Sequence, residues 1–288
     1  MTIEQMTPEE EVRLRLAAGI SPSTPTEYML RHIPLWVKMS ILRRNITERA
    51  TTYAFTTNTY RKNGVTVSLD NVSEFIRLSS ATMWQDGQLV EVANNVPRIS
   101  GEGLLIEPQR TNVAIPFTQW SFLSSGADKI LGTIDTLTFF NPARQTRAIY
   151  SGGIPVSGII SVYIQASEGG EAWIQSTGEQ YDRYTLSASQ IRRYKTPPLQ
   201  GTRAWGVLAP LGENTLRYPQ AEDGEQITSY IPVGSSPTTR SPDILNIPLL
   251  PTQTITGDWD EGVTYTAVGG IATFTGHGYI RNITVEAL

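Results

Sequence analysis

The sequence predicts a mainly β protein: a jelly-roll β-sandwich with an N-terminal helical arm and a short C-terminal β segment. Gly and Pro are frequent, with 24 and 18 residues among 288, which favours short strands joined by tight turns over long helices. Short segments of alternating apolar and polar residues recur from Asn112 onward at the spacing of a sandwich. The apolar residues, 39% of the chain, suffice for two or three small cores.

Residues 1–50 are predicted to form the helical arm. Thr7-Pro8-Glu9-Glu10 supplies a capping hydroxyl, a proline at the first helical position and a glutamate three residues after the cap, and Thr24-Pro25-Thr26-Glu27 repeats this arrangement. A third helical stretch runs from Leu35 to Arg44. The apolar residues at helical spacing are Val12, Leu16, Tyr28, Ile33, Trp36 and Met39. Because helices of about ten residues are marginal alone in water, the arm is expected to bury this stripe against a partner.

Basic residues gather towards the end of the arm, namely Lys38, Arg43, Arg44 and Arg49. They have two interpretations that the sequence leaves open. The first is a solvated helix face that complements the helix dipole. The second is docking to an acidic partner.

Residues 51–111 are predicted to form a β-rich connector. Strands are expected at Val65–Leu69, Phe75–Leu78 and Gly103–Glu107. Asp86-Gly87 favours a hairpin turn between Met83-Trp84 and Leu89–Val92.

Residues 112–238 are predicted to form the jelly roll and to fold independently. The expected strands are Ile130 to Phe140, Arg147 to Tyr150, Gly158 to Ala166, Glu171 to Ser176, Tyr184 to Leu186, Arg203 to Leu208 and Thr215 to Gln220. The clearest is Ile159 to Ile164, in which Ile160, Val162 and Ile164 share one face.

Residues 239–288 are predicted to add strands to a neighbouring sheet or to another chain, because they are too few for a sandwich of their own. Strands are expected at Val263–Val268, Ile271–Phe274 and Tyr279–Val285, with Gly269-Gly270 as a hairpin turn. No fixed repeat indicates a β-helix or propeller, and no heptad run indicates a coiled-coil stalk.

The net charge of −4 removes the main energy of non-specific nucleic-acid binding, so no nucleic-acid partner is expected. No apolar run reaches the roughly 18 to 20 residues of a membrane span, and the acidic N-terminus lacks the pattern of a secretory signal. The chain has no cysteine, which is compatible with assembly in a cytoplasm.

The inventory of reactive side chains does not favour an enzyme. The two histidines, His32 and His277, lie far apart and have no nucleophile motif beside them. The densest acidic clusters are Glu222, Asp223 and Glu225, and Asp258, Asp260 and Glu261. Glycines beside both clusters favour exposed turns, and a Ca²⁺ loop is the alternative. We expect neither a metal nor a cofactor.

Two groups of motifs bracket the predicted sandwich. The first group is Ser79-Ser80-Ala81-Thr82, Asp86-Gly87, Asn95-Val96-Pro97-Arg98 and Gly103-Leu104-Leu105-Ile106-Glu107-Pro108-Gln109-Arg110-Thr111-Asn112. The second is Pro219-Gln220-Ala221-Glu222, Gly224, Thr228-Ser229-Tyr230-Ile231-Pro232 and Thr239-Arg240-Ser241-Pro242-Asp243. In order and spacing they resemble the signature of tailed-bacteriophage virion proteins of the tail-fibre, minor structural or carbohydrate-binding-module kind.

This resemblance covers residues 79 to 243. It implies a structural tail-fibre or baseplate protein of the virion tail, assembled in the host cytoplasm, with other tail or baseplate proteins as partners and a homotrimeric state. The alternatives are a host-glycan receptor-binding adhesin and a capsid decoration protein. Many relatives continue into a full concanavalin-like lectin domain, whereas only a fragment of its final strands is expected here. Nothing before Ser79 resembles the family, which favours residues 1–50 as the particle-specific attachment device.

If the sandwich binds a host surface polysaccharide, aromatic side chains are the expected contacts, because they stack on sugar faces. The candidates are Trp173, Tyr181, Tyr184 and Trp120. Trp173 and Tyr181 flank a turn-rich stretch and are expected to line a loop pocket. Trp205 lies within an apolar strand and is expected in the core.

Overall fold

A computed structural model of the chain describes residues 50–122, 128–142, 147–149, 154–155, 158–176, 179–200, 202–203 and 205–287. Within these ranges the protein is mainly β, with antiparallel sheets, three single-turn 3-10 helices and no α-helix. The predicted helices of the arm, with Val12, Leu16, Tyr28, Ile33, Trp36 and Met39, lie outside the described residues.

The first strands in chain order are β1 (Thr51–Ala54), β2 (Thr59–Lys62), β3 (Val65–Val67), β4 (Glu74–Ile76), β5 (Ala81–Gln85), β6 (Gln88–Val92), β7 (Ile99–Ser100), β8 (Gly103–Ile106) and β9 (Arg110–Asn112). Next come β10 (Ser121–Phe122), β11 (Asp128–Gly132), β12 (Thr136–Asn141), β13 (Arg147–Ile149), β14 (Ile154–Pro155), β15 (Gly158–Ala166), β16 (Gly170–Ser176), β17 (Glu179–Leu186) and β18 (Ile191–Lys195). The last are β19 (Thr202–Arg203), β20 (Trp205–Leu208), β21 (Gly212–Asp223), β22 (Thr238–Arg240), β23 (Ile244–Pro248), β24 (Gln253–Trp259), β25 (Val263–Val268), β26 (Ile271–Gly276) and β27 (Gly278–Ala287). The 3-10 helices are Phe55–Thr57, Leu69–Asn71 and Phe117–Gln119.

The described residues form two compact units, each made of separated segments. Unit 1 contains the described residues up to Phe75, Ile99–Ile106, and those from Ile244 onward. Unit 2 contains Ile76–Arg98 and Glu107–Asp243. The boundaries expected at residues 111 and 239 therefore do not coincide with the division into units.

Unit 1 is organised around the long strand β27. One edge of β27 pairs with β24, and the other edge pairs with β1 and β8, in a sheet of order β3-β2-β1-β27-β8-β7. A second sheet has the order β25-β26-β23-β4. The predicted hairpin at Gly269-Gly270 is confirmed, since both glycines have positive φ and join β25 to β26. Both sheets contribute to one core, which includes Tyr53, Phe55, Leu104, Leu245, Phe274 and Ile283.

Unit 2 contains two larger sheets. One has the order β10-β13-β20-β16-β17. The other has the order β11-β12-β21-β15-β18, extended by β9 and β22. Strands β5 and β6 form a separate hairpin, and the predicted Asp86-Gly87 turn is confirmed because both residues have positive φ.

Both larger sheets of unit 2 bury apolar side chains in one cluster, which forms the core of this unit. The predicted shared face of Ile160, Val162 and Ile164 in β15 is confirmed, because all three lie in this core, although Ile159 and Ser161 are buried as well. Trp205 is also in this core, as expected. The prediction of one strand from Ile130 to Phe140 is wrong. The chain turns between β11 and β12, where the Thr133 amide donates to the Thr136 carbonyl at 2.7 Å.

Candidate functional site

A cavity of about 560 Å³ opens on unit 2 beside Trp173. Its walls include Glu168, Glu171, Trp173, Arg183, Leu208 and Pro210. These residues come from β16, β17, β20 and the loops that flank them. The cavity therefore combines an indole, an aliphatic wall and three charged groups.

The register of the five-stranded sheet explains why Trp173 faces this cavity. Its neighbours Ala172 and Ile174 are both in the core, and successive side chains of a strand point to opposite faces. Trp173 pairs with Leu208, which also lines the cavity. A β-bulge between Ala172 and Ile174 in the pairing with β17 aligns Trp173 with the Asp182-Arg183 step.

Arg183 contacts both the indole and one carboxylate of the cavity wall. Its guanidinium carbon lies 4.9 Å from the centroid of the Trp173 ring, a cation–π distance, and it pairs with Glu171 at 2.5 Å. Both members of this ion pair are 53% exposed, so the pair adds little to stability. The buried Trp173 Nε1 has no hydrogen-bond acceptor among the described residues. The cavity can thus offer a stacking surface and charged groups to a polar ligand.

The other three predicted glycan contacts do not line this cavity. Tyr181 pairs with Ile174 and packs against the core, so it lies on the inner face of the sheet. Tyr184 is 38% exposed and is stacked by Arg192, whose guanidinium carbon is 3.4 Å from the ring centroid. Trp120 is a core residue, 7% exposed, with its ring edge-on to Trp205. Burial leaves Trp120 no face for a sugar, so its assignment to the site is corrected.

A second polar constellation of unit 2 is buried, and the sequence did not predict it. It comprises the arginines Arg77, Arg98 and Arg240 and the carboxylates Glu107 and Asp243, whose side chains are 0 to 3% exposed. Since no solvent reaches them, these residues hold the fold and do not contact a ligand.

Each carboxylate of the cluster binds two arginines. Asp243 pairs with Arg77 at 3.2 Å and also with Arg98. Glu107 pairs with Arg98 at 2.7 Å and also with Arg240. Ser229 completes the shell of Glu107, because its amide and its hydroxyl each donate to that carboxylate at 2.7 Å. Such full pairing is what makes buried charges tolerable.

Three positive charges face two negative ones, and backbone carbonyls compensate the difference. The Arg77 Nη2 group donates to the carbonyls of Val92, Ala93 and Val96 at 3.2, 2.6 and 3.1 Å. Arg77 thereby joins the end of the β5–β6 hairpin to Asp243.

The charges and hydrogen bonds of the cluster lower the pKa of Glu107. Burial by itself would raise this pKa, but Arg240, Arg98 and the Ser229 hydrogen bonds lower it from 4.5 to about 2. Glu107 is therefore ionised throughout the neutral and mildly acidic range.

A neighbouring network centres on Glu222, which corrects one sequence-based expectation. Glu222 was expected in an exposed turn, yet it is 1% exposed. Its carboxylate accepts hydrogen bonds from the Thr228 amide at 2.8 Å and the Thr228 hydroxyl at 2.7 Å, and from Gln220 at 2.8 Å. Asp223 and Glu225 are exposed, as expected.

Asn112 extends this network to β9. Its amide nitrogen donates to the carbonyls of Pro219 and Ile231, and its oxygen accepts from the amides of Ala114 and Ala221. One side chain thus fixes four backbone groups.

The second acidic cluster, in unit 1, is engaged within the protein. Asp260 accepts from the Tyr279 amide at 2.8 Å and from Arg281 at 2.6 Å, and Asp258 pairs with Arg281 at 3.3 Å. Among the described residues, no three His, Asp or Glu side chains are placed together as metal ligands. In the same part of the chain, no helix has the length and apolarity that crossing a bilayer requires.

Residues of both motif groups converge in unit 2. Arg98 and Asp243 lie 145 positions apart and are hydrogen-bonded. Glu107, Asn112, Glu222, Ser229 and Arg240 join the same buried networks. Comparison with known proteins adds no family to this geometry, since no protein-family model and no curated protein matches the chain.

Proposed function

We propose that the chain is a structural component of a bacteriophage tail, a tail-fibre or baseplate protein, and that unit 2 is a jelly roll of the carbohydrate-binding type. One observation carries the proposal. The polar residues of two motif groups, which lie far apart in the sequence, meet in one buried network.

The convergence of these residues supports the resemblance to the phage family. An unpaired buried charge is strongly destabilising. The burial of these charges is therefore tolerated only because the backbone brings four residues within hydrogen-bonding distance, namely Arg98, Glu107, Arg240 and Asp243. The residues of the two motif groups depend on one another in space. This mutual dependence supports a shared folded module over a chance match of short sequence segments. The virion role then follows by analogy with the family that carries the motif.

The jelly-roll architecture is supported by the two larger sheets of unit 2. Their strands are antiparallel, and their inward residues fill one core cluster. Short strands, turn-rich connections and many long-range pairings fit the same architecture.

Attachment is proposed to occur through residues 1–50, on other tail or baseplate proteins, with three copies of the chain in the assembly. The capping motifs and the apolar stripe of the arm support attachment through these residues. The trimer rests on the family resemblance. Assembly in the host cytoplasm and a role without catalysis complete the proposal.

Recognition of a host glycan is a second candidate function, and the cavity beside Trp173 favours it. The cavity provides an indole for stacking and charged groups for hydroxyl contacts, which is the usual composition of a sugar site. The two functions are compatible, since a tail protein can also bind the host surface.

The decisive experiment locates the chain in a particle. A density map of particles whose copy of this chain carries a small C-terminal fusion, compared with untagged particles, is expected to show extra density on the tail in multiples of three. Extra density on the head would replace the proposal with capsid decoration. If purified particles do not contain the chain, the proposed virion role is wrong.

A further inference from the structure

A cluster of aromatic rings lies on the outer face of the seven-stranded sheet of unit 2. The ring centroids of Trp84 and Tyr163 are 5.2 Å apart, and the indole nitrogen of Trp84 donates to the Tyr163 hydroxyl at 2.7 Å. Tyr218 lies 5.8 Å from Tyr163 and 6.3 Å from Trp84. Trp84 is 37% exposed, so part of the cluster is accessible to a ligand.

Strand pairing places two arginines on the same face. Tyr163 lies opposite Arg193 of β18 on one side and opposite Arg217 of β21 on the other. Directly paired residues of antiparallel strands share a face. The neighbours of Tyr163 in β15, Val162 and Ile164, point into the core, which confirms that Tyr163 and its partners face outward.

An irregularity of β21 contributes to this surface. The register between β15 and β21 shifts between Ser161 and Tyr163, and Tyr218 has a φ of +57°. An aromatic residue rarely adopts this left-handed conformation, which costs of the order of 1 kcal/mol or more. The bulge brings the Tyr218 ring beside Trp84 and Tyr163, so the strained residue supports the aromatic cluster.

The two arginines differ from the buried ones of the cluster around Glu107. Neither Arg193 nor Arg217 has a carboxylate at ion-pair distance in the described part of the chain. Arg193 donates to the Ser161 hydroxyl at 2.9 Å and the Thr228 carbonyl at 2.7 Å, which fixes its position 5.5 Å from the Tyr163 ring. The Nη2 group of Arg217 donates to the Gln165 side chain at 3.4 Å. Both arginines are thus held by neutral groups, and neither is paired with a carboxylate among the described residues.

We propose that this face, defined by Trp84, Tyr163, Arg193 and Arg217, binds an acidic polysaccharide through its uronic acid residues. A uronate offers an apolar ring face for the aromatic side chains and one carboxylate for an arginine fork. A nucleic acid fits less well, because its affinity depends on many phosphate contacts and the proposed face is defined by two arginines.

The inference deepens the proposed glycan recognition and rests on it for its biological meaning. Its test uses the purified full chain, so its result is independent of where the chain lies in a particle. It also places the acidic ligand on a different sheet from the cavity beside Trp173.

The experiment measures binding of a hexamer of galacturonate by titration calorimetry, with the carboxyl-reduced hexamer, a neutral galactose polymer of equal length, as the matched ligand. The acidic hexamer is expected to bind at least about tenfold more tightly than the neutral one. Arg217→Gln is expected to lower affinity for the acidic hexamer by about tenfold, and Trp84→Ala to lower affinity for both. Arg61→Gln, which removes an exposed arginine of unit 1, is the control and is expected to change nothing.

Three results would overturn the proposal. The first is equal affinity for the acidic and neutral hexamers, and the second is no binding of the acidic hexamer at millimolar concentration. The third is unchanged affinity of Arg217→Gln and Trp84→Ala when the melting curves of these variants match that of the parent. If Arg217→Gln does not fold, Arg193→Gln and Trp84→Ala decide the question in the same way. Tighter binding of a thymidine hexanucleotide than of the acidic hexamer would instead assign the face to nucleic acid.

Discussion

The guanidinium of Arg98 lies 2.7 Å from the carboxylate of Glu107, with both side chains almost completely buried. Arg98 is the last residue of one segment of unit 2, and Glu107 is the first residue of the other. The same guanidinium binds Asp243, the last residue of the second segment. The ion pairs thus join the ends of the segments from which unit 2 is built.

The first prediction concerns the loss of one carboxylate. Glu107→Gln is expected to lower the free energy of unfolding by about 3–5 kcal/mol, because it leaves Arg98 and Arg240 buried with reduced compensation. Urea unfolding followed by tryptophan fluorescence measures this change. The matched control is Glu171→Gln, which breaks an exposed pair and is expected to cost less than about 1 kcal/mol. Equal costs for the two variants would contradict the structural role of the cluster.

The second prediction concerns pH. The pKa of Glu107 is lowered in the folded state from 4.5 to about 2, so its ionisation stabilises the fold fully above about pH 4.5. This contribution is lost as pH falls from 4.5 towards 2, and it amounts to about 3 kcal/mol. Unfolding free energies measured from pH 6 to pH 2.5 test it. Glu107→Gln is expected to show a shallower decline, and parallel curves for parent and variant would count against this assignment.

The third prediction compares two fragments. Residues 112–238 contain enough strands for both larger sheets but lack Arg77, Arg98, Glu107, Arg240 and Asp243. Residues 76–243, with 99–106 replaced by a Gly-Ser linker of equal length, retain all five. We expect a cooperative thermal transition for the longer fragment and, in contrast to the independent folding that the sequence predicts, a broad or earlier one for the shorter. Equally sharp transitions at the same temperature would show that the cluster is dispensable.

The fourth prediction separates two tryptophans of unit 2. Trp173→Ala is expected to lower binding on a glycan array while the protein stays folded, because Trp173 lies on the cavity wall. Trp205→Ala is expected to cost about 3–5 kcal/mol of stability, because Trp205 is 2% exposed in the core. Chemical unfolding of both variants measures the contrast. A comparable cost for Trp173→Ala would make it a packing residue and remove it from the candidate site.

The fifth prediction concerns the arm. Deletion of residues 1–49 is expected to leave a soluble β protein that no longer enters particles. The deletion stops there because Ala50 is buried and its carbonyl accepts a hydrogen bond from the Asn63 amide. Copy number in purified particles, measured by quantitative mass spectrometry, checks the result. Incorporation at the normal copy number would place the attachment surface in the β units instead.

Local sequence patterns determined much of the strand content. The Asp86-Gly87 and Gly269-Gly270 turns and the shared core face of Ile160, Val162 and Ile164 were predictable, because positive φ and the period-two orientation of side chains are properties of neighbouring residues. The sequence pattern predicted one strand where the structure has two, β11 and β12. Ile130 and Leu131 in β11 and the Thr and Phe residues of β12 suggested a continuous strand, whereas the hydrogen bonds around Thr133 and Thr136 close a turn between them.

The tertiary structure alone decided that the polar side chains around Glu107 and Glu222 and the ring of Trp120 are buried. Glu222 reads as a turn residue beside a glycine, yet Thr228 and Gln220 supply the donors that make its burial tolerable. Trp120 and Trp173 have the same side chain, and strand register directs the second to a cavity while packing on Trp205 buries the first. Such outcomes depend on partners that are distant in the chain, because the energy of a buried charge or ring is set by the atoms around it.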